Sequence, residues 1–250
     1  MIYFLSDAHL GSRLETNPLA QEQKLVRWLE MVSQDATHIY LLGDIFDFWF
    51  EYRTVVPKGF VRFLGKLAAL VDAGIEIHFL IGNHDLWTFG YLEKEVGLKV
   101  HYKPLITEHH GKRFFLAHGD GLTNAGSKFN ILRKVFHSNL AQQLFSLLPP
   151  YFGQHFGYHW SKNNRTKYMN DDDIEMKNNQ FNEDLVNFAM HYQSENPIDY
   201  FVFGHRHIDL KVALTNDSQV VILGDFIKIF SYGVFDGEKL TLQYFEQANN

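Results

Sequence analysis

The sequence predicts a layered α/β fold, and three features carry that prediction. Short, nearly continuous apolar runs at 2–6, 39–42, 75–81 and 200–203 have the texture of strands buried on both faces. Segments with apolar residues at helical spacing alternate with them. Hydrophobic residues make up 46% of the chain and charged residues 21%, the balance of a protein with a sizeable core. In chain order, 2–6 is the first strand and 18–34 the first helix, with Leu19, Leu25, Val26, Leu29 and Val32 on one face. Strand 39–42 follows, then a helix at 59–73 that aligns Phe60, Phe63, Leu64, Leu67 and Leu70, then strand 75–81. After strand 200–203 the texture changes to strand-like segments at 211–215, 219–223, 228–235 and 239–245, set apart by the turn signals Asn216-Asp217 and Asp236-Gly237. These predict an antiparallel C-terminal sheet.

The length of 250 residues fits a single domain, 1–250. A net charge of −6 argues against a general positive field for duplex DNA, and no nucleic-acid partner is expected. The absence of cysteine excludes disulfides, zinc fingers, iron–sulfur clusters and thiol nucleophiles together, which leaves fourteen histidines as the conspicuous potential ligands. The first residues lack the pattern of a signal peptide, and no uncharged apolar run reaches bilayer length. A cytoplasmic location is expected, with membrane contact at a surface only.

The stretch 121–170 is different. It holds six basic residues, Lys128, Arg133, Lys134, Lys162, Arg165 and Lys167, and no Asp or Glu, so it carries +6 while the other 200 residues carry −12. Phe129, Leu132, Val135, Phe136, Leu140, Leu144, Phe145, Leu147 and Leu148 add an apolar helical stripe that Pro149-Pro150 ends. A helical insertion with a basic, apolar face is predicted, which either packs on the core or meets a lipid surface. The run Asp171-Asp172-Asp173 lacks the spaced ligand loop of a calcium site and reads as charge at a helix N-terminus.

Five short motifs sit at or just past strand-like segments: Asp7-Ala8-His9, Gly43-Asp44-Ile45-Phe46-Asp47, Gly82-Asn83-His84-Asp85, His118-Gly119-Asp120 and Gly204-His205-Arg206-His207. In open α/β sheets ligands bind beyond the carboxyl ends of strands, so one crevice can collect them all. Alternate residues of Asp7-x-His9 and His205-x-His207 can share one side of an extended chain, and the preceding glycines allow tight turns. Mixed carboxylate, amide and imidazole ligands suit manganese, iron or zinc, and their number is enough for two ions. A carboxylate can bridge ions about 3.5–4 Å apart, and Asp44 is central in the ligand order.

In this order, D-x-H, G-D-x-x-D, G-N-H-D, H-G-D and G-H-x-H resemble the calcineurin-like metallophosphoesterase superfamily across most of the chain, from Asp7 to His207. The resemblance implies an α/β fold, a layered metallophosphoesterase sandwich with helices outside and 121–170 as a helical cap insertion. It implies two divalent ions, Mn2+ by preference, one held by Asp7, His9, Asp44 and His207 and the other by Asp44, Asn83, His118 and His205. Ions so placed would activate water and neutralise phosphoryl charge, with no protein nucleophile. His84 is implied near the phosphoryl or leaving oxygen, with Asp85 as its orienting carboxylate. Asp47 and Asp120 read as supports that hold ligand histidines in one tautomer.

Within that superfamily the chain is most similar to the UDP-2,3-diacylglucosamine pyrophosphatases of lipid A biosynthesis. The opening Phe4-Leu5-Ser6-Asp7-Ala8-His9-Leu10-Gly11, Gly43 to Trp49, His118-Gly119-Asp120-Gly121 and the insertion before the last motifs carry the similarity. It implies hydrolysis of a lipid-linked nucleotide sugar to UMP and 2,3-diacylglucosamine 1-phosphate beneath a cap that shelters acyl chains. The substrate contacts implied are Asn83, His84 and His205 with Ser161, Asn164, Arg165 and Lys167 of the cap. A peripheral place on the cytoplasmic face of the inner membrane follows, with no obligate protein partner. The chain carries His84 and Gly126 where the better-known branch has Arg and an acidic residue, so another nucleotide, nucleic-acid or lipid-linked phosphodiester stays open as substrate. A noncatalytic scaffold is the remaining alternative, and it should be missing ligands.

Overall fold

The apolar runs form strands, and the strands form two sheets packed face to face. The computed structural model describes residues 1–14, 16–122, 133–168 and 183–246, with 163–168 described in backbone only. Strands β1 (Ile2–Leu5), β2 (His38–Leu42), β3 (Glu76–Leu80) and β4 (Lys99–His101) lie parallel and adjacent. Strands β5 (Leu105–His109), β6 (Lys112–Ala117), β7 (Tyr200–Phe203), β8 (Asp209–Ala213) and β9 (Gln219–Leu223) make a second sheet in the order β5-β6-β7-β9-β8, parallel in the middle and antiparallel at both edges. Strands β10 (Ser231–Phe235) and β11 (Leu240–Tyr244) return to the first sheet, antiparallel beyond β1.

The C-terminal strands therefore form no sheet of their own. They are two hairpins on different sheets, because β9 pairs with β7 and β10 pairs with β1. The strand expected from 228 begins only at Ser231: Asp225 Oδ1 accepts from the amides of Ile227, Lys228 and Ile229 and folds that stretch into a turn.

Helices α1 (Pro18–Val32) and α2 (Val61–Asp72) cover the outer face of the first sheet, where Leu25, Trp28, Leu29, Phe63 and Leu67 pack on Tyr3, Leu5, Ile39, Leu41 and Phe79. Asn17 caps α1 through a bond from the Ala20 amide at 3.1 Å, with Pro18 in the first turn. Phe60 cannot cap α2, and Glu22 of α1 does so instead, accepting from the amides of Arg62 and Phe63 at 2.8 and 3.2 Å. The short α3 (Tyr91–Lys94) follows β3. Between the sheets Phe4, Tyr40 and Leu42 meet Phe114, Leu116, Val202 and Leu223. On the far side α6 (Asp184–Glu195) packs Leu185, Val186 and Ala189 on Phe115, Phe201 and Phe203. The order helix, sheet, sheet, helix is the sandwich the sequence predicts.

Within the stretch expected to be a helical insertion, α4 (Asn139–Ser146) and α5 (Pro150–Tyr168) are separate helices. Their apolar stripe is divided: Phe136 and Phe145 turn in against Phe48, Phe50 and Trp87. Leu140, Leu144 and Leu147 turn out, with Leu147 78% exposed. Gly126, Lys128, Phe129, Leu132 and 171–173 lie outside the described residues. No helix among the described residues is long and apolar enough to cross a membrane.

Candidate metal centre

The parallel strands of both sheets point their carboxyl ends the same way, and the motifs follow those ends. Asp7 and His9 come after β1, Asp44 and Asp47 after β2, Asn83 and His84 after β3, His118 after β6, and His205 and His207 after β7. The loops are laced by backbone bonds, among them Asp7 N to Gly43 O at 3.1 Å, His9 N to Asp44 O at 2.9 Å and Gly204 N to His118 O at 2.9 Å. The expected extended chain through Asp7-x-His9 and His205-x-His207 is absent. Asp7, His9, Asp44, His205 and His207 all have left-handed backbone, with φ of 53°, 44°, 52°, 69° and 52°. Non-glycine residues so held cost of order 1–3 kcal/mol each and persist where the surroundings enforce them.

Potential ligand atoms gather in three overlapping groups: Asp7, His9 and His207; His9, Asp44 and His84; Asp44, His118 and His205. Asp44 Oδ2 lies 3.3 Å from His118 Nε2, 3.7 Å from His9 Nε2 and 3.9 Å from His84 Nε2, so this carboxylate is common to two groups. His207 Nε2 is 3.4 Å and His9 Nε2 3.9 Å from Asp7 Oδ1. The remaining carboxylate oxygens are held by backbone: Asp7 Oδ2 accepts from the His205 amide and Asp44 Oδ1 from the His84 amide, both at 2.9 Å.

The donor set fits divalent cations on an independent count. Asp7 Oδ1, His9 Nε2, Asn83 Oδ1 and His118 Nε2 are buried without a hydrogen-bond partner. A buried polar atom left unpaired costs about 1–3 kcal/mol, and cations at this centre would satisfy all four. Three imidazoles have an oxygen behind them, on the side away from the centre. His118 Nδ1 bonds the Leu42 carbonyl at 2.8 Å, His9 Nδ1 lies 3.4 Å from Asp47 Oδ1, and His207 Nδ1 lies 3.7 Å from Asp225 Oδ2.

Charge is graded across the centre. Burial opposes ionisation of Asp44, but His118, His84 and His9 outweigh it and hold the carboxyl well below its usual range. Burial likewise opposes protonation of His118, yet Asp44 and Asp7 hold its imidazolium well above. Burial pushes Asp7 up against the pull of His207 and His118. Burial brings His9 down to about 3, and burial with the charge of His118 holds His205 well below its ordinary value. Asp225, despite burial, is drawn down to about 2 by the neighbouring His207 imidazole and by backbone amides.

Several sequence expectations need correction. Asp85 does not orient His84: its Oδ1 accepts from Gly82 N at 2.7 Å, and its Oδ2 from Ile45 N at 2.8 Å and Phe46 N at 3.4 Å. It ties the third motif to the second, while burial and Asp44 push its carboxyl up to about 7. His84 Nδ1 instead meets the Asp47 carbonyl at 2.7 Å. Asp120 holds no ligand histidine; its carboxylate faces Arg133 Nε at 3.4 Å. Of the glycines expected to turn the chain, Gly43 has left-handed backbone with φ 81°, whereas Gly82 and Gly204 supply room: a Cβ there would lie 2.2 Å from Asp44 Oδ1 and 2.6 Å from Asp7 Oδ2. Asp225 belongs to no expected motif, and its one signal is Gly224-Asp225 directly after β9.

Beside the proposed ligands, Asn83 and His84 form one wall of a narrow cleft whose other walls include Phe48, Trp87, Phe136, Phe145, Gly157 and Trp160. Trp87 Nε1 donates to the Phe136 carbonyl at 2.8 Å and ties the segment before α4 to the loop after β3. Ser161 is fully buried, its Oγ has no hydrogen-bond partner, and it is not part of the cleft wall. The side chains of Asn164, Arg165 and Lys167 lie outside the described residues.

The chain is 42% identical over 261 aligned positions to UDP-2,3-diacylglucosamine hydrolase from Porphyromonas gingivalis, covering 98% of this chain and 97% of that one. A protein of the same name from Proteus mirabilis is 32% identical over 58% of this chain and 59% of its own. Another from Photorhabdus laumondii is 27% identical over 82% and 80%. A family model described as calcineurin-like phosphoesterase matches residues 1–209, the span that contains all five motifs from Asp7 to His207. With strand ends, ligand order and this match in agreement, the chain belongs to the calcineurin-like phosphoesterase family.

Proposed function

We propose that this chain hydrolyses the diphosphate of UDP-2,3-diacylglucosamine to UMP and 2,3-diacylglucosamine 1-phosphate with two Mn2+ ions. One observation carries the reading: a donor set suited to a diphosphate opens, at Asn83 and His84, onto an aromatic cleft suited to acyl chains. The shared name of the three relatives supports the same substrate. A scaffold role finds no support in a centre that has a usable side chain at every proposed ligand position.

Asp7, His9, Asp44 and His207 are assigned to one ion, and Asp44, Asn83, His118 and His205 to the other. Bound there, the ions would lower the pKa of water toward neutrality and neutralise phosphoryl charge. The chain's own residues supply position. Leu42 O, Asp47 and Asp225 hold the Nδ1 side of His118, His9 and His207, which turns each Nε2 inward. The Asp47 carbonyl accepts from His84 Nδ1 and leaves Nε2 facing the centre, where it can bond a phosphoryl or leaving oxygen. Asp85 acts at one remove, fixing the Asp44 and Asn83 loops together. Ser161, Asn164, Arg165 and Lys167 are kept as substrate contacts, and the unpartnered Ser161 Oγ is what supports the first of them.

We also place the protein on the cytoplasmic face of the inner membrane. Leu144, Leu147, Tyr151, Phe152 and Phe156 form an outward apolar face on the cap, the part of the chain that carries its excess of basic residues. The deciding experiment compares hydrolysis of the acylated UDP-sugar, its deacylated analogue and simple nucleotide diesters. Preference for the acylated compound is expected, with oxygen-18 from water appearing in UMP. Preference for the unacylated compounds would overturn the assignment.

A further inference from the structure

We propose that Gly157 is a specificity-determining residue: its missing side chain seats α5 on the Phe48 ring and sets the width of the apolar cleft beside His84. The inference rests on the acylated-substrate reading above. Helix α5 has two buried glycines one turn apart, Gly153 and Gly157, in positions where alanine would stabilise the helix itself by about 1 kcal/mol. Only Gly157 lines the cleft. A Cβ on it would lie 2.4 Å from Cε1, Cε2 and Cζ of Phe48.

Phe48 cannot yield. It is 6% exposed, and Trp87, Phe145 and Tyr158 surround it at ring separations of 6.3, 6.3 and 5.9 Å. It also follows Asp47 directly, the residue whose carbonyl meets His84 and whose carboxylate faces His9. One van der Waals contact thus joins the cap helix to the loop behind the metal ligands. A side chain at 157 must raise α5 or drive the Phe48 ring into the cleft, and either changes the space an acyl chain can fill. Gly153 is the internal control. A Cβ there would meet Tyr52 Oη at 2.0 Å, the tip of a half-buried side chain with no hydrogen bond to lose, and would reach the cleft only through Phe145 Cε1 at 3.1 Å, a contact relieved by a shift of a few tenths of an ångström.

The test compares Gly157→Ala, Gly153→Ala and the double variant Phe48→Leu/Gly157→Ala. The first readout is the ratio of kcat/KM for the acylated UDP-sugar to that for the deacylated one. Gly157→Ala should lower this ratio about tenfold, chiefly through KM, and Gly153→Ala by no more than about twofold. Shortening Phe48 in the Gly157→Ala background should recover most of the loss. The second readout needs no activity: the chain lacks cysteine, so spin labels at Val61→Cys and Tyr151→Cys, both 75% exposed in the parent chain, report the distance from body to cap. Gly157→Ala should lengthen or broaden it, and Gly153→Ala should not. A Gly157→Ala protein with the parental ratio and distance distribution, or a double variant with no recovery, overturns the proposal. If the parent enzyme shows no acyl preference, the substrate reading fails, while the label distances still decide whether Gly157 seats the cap.

Discussion

Gly82→Ala is a severe test of the shared role of Asp44, because it adds one methyl group beside that carboxylate and nothing else. Gly82 has no positive φ, so alanine meets no backbone strain there. The new Cβ would stand 2.2 Å from Asp44 Oδ1, 2.5 Å from its amide nitrogen and 3.0 Å from its Cγ. Oδ1 already accepts from the His84 amide at 2.9 Å and cannot retreat without breaking that bond. Relief therefore needs a displacement of about 1 Å in the carboxylate or in the loop carrying Asn83 and His84. Overpacking of this kind costs about 1–3 kcal/mol. In a chain of this length that lowers Tm by about 2–4 °C for each kcal/mol. Catalysis should suffer more, since a misplacement of about 1 Å costs on the order of 100-fold. Asp44 belongs to the groups around both proposed ions, so metal retention should fall as well. The assay is metal content after Mn2+ loading, kcat/KM on the acylated substrate, and Tm with and without metal. A Gly82→Ala protein that keeps full metal stoichiometry and kcat/KM within about threefold of the parent would remove Asp44 from the bridging position.

Three other expectations can be checked with the same protein. Chelation should abolish hydrolysis and lower Tm, with Mn2+ restoring both, because ions bound only by the folded state stabilise it; full turnover at verified negligible metal content would contradict the mechanism. Asp225→Ala frees His207 Nδ1 and should weaken metal affinity about 10- to 100-fold, read by titration of the metal-free protein, and unchanged affinity would show that Asp225 does not orient its histidine. His78, 9% exposed and stacked against His101, is pushed down to about 4 by burial and by its cationic neighbours. Above its ordinary value of 6.5 both folded and unfolded chains hold it neutral; between pH 6.5 and 4 only the unfolded chain takes up the proton. Stability should therefore fall across that window by up to about 3 kcal/mol, and His78→Gln should flatten the pH dependence of the urea midpoint there. An unaltered slope would exclude His78 as a source.

The proposed metal side of the centre was legible because its chemistry restricts residue type, and because four of the five motifs follow a strand whose apolar run is easy to read. What remained hidden follows from geometry that a linear pattern does not carry. Asp85 is adjacent to His84, which suggested a contact between them. Its carboxylate instead turns back to the amides of Gly82 and Ile45, while the imidazole turns to the Asp47 carbonyl. Strands β4, β5 and β6 escaped the search for continuous apolar runs: β4 and β5 are edge strands, β5 alternates between exposed and half-buried positions, and β6 opens on Lys112-Arg113 so that only its last four residues are buried. Asp225 reaches His207 only because β9 lies next to β7, a pairing no single motif encodes.

The substrate side is obscure in the sequence for a different reason. Helical spacing marked Phe136, Leu140, Leu144 and Phe145 as one stripe, yet Phe136 and Phe145 face the body and Leu140 and Leu144 face outward. Spacing defines a face of a helix without saying what it will meet, and a stripe divided over separate segments can meet two things. A ligand histidine is identified by its own chemistry, one residue at a time. The cleft belongs jointly to Phe48, Trp87, Phe136 and Trp160, and in a chain with 23 phenylalanines and 4 tryptophans nothing about any one of them sets it apart until the fold brings them together.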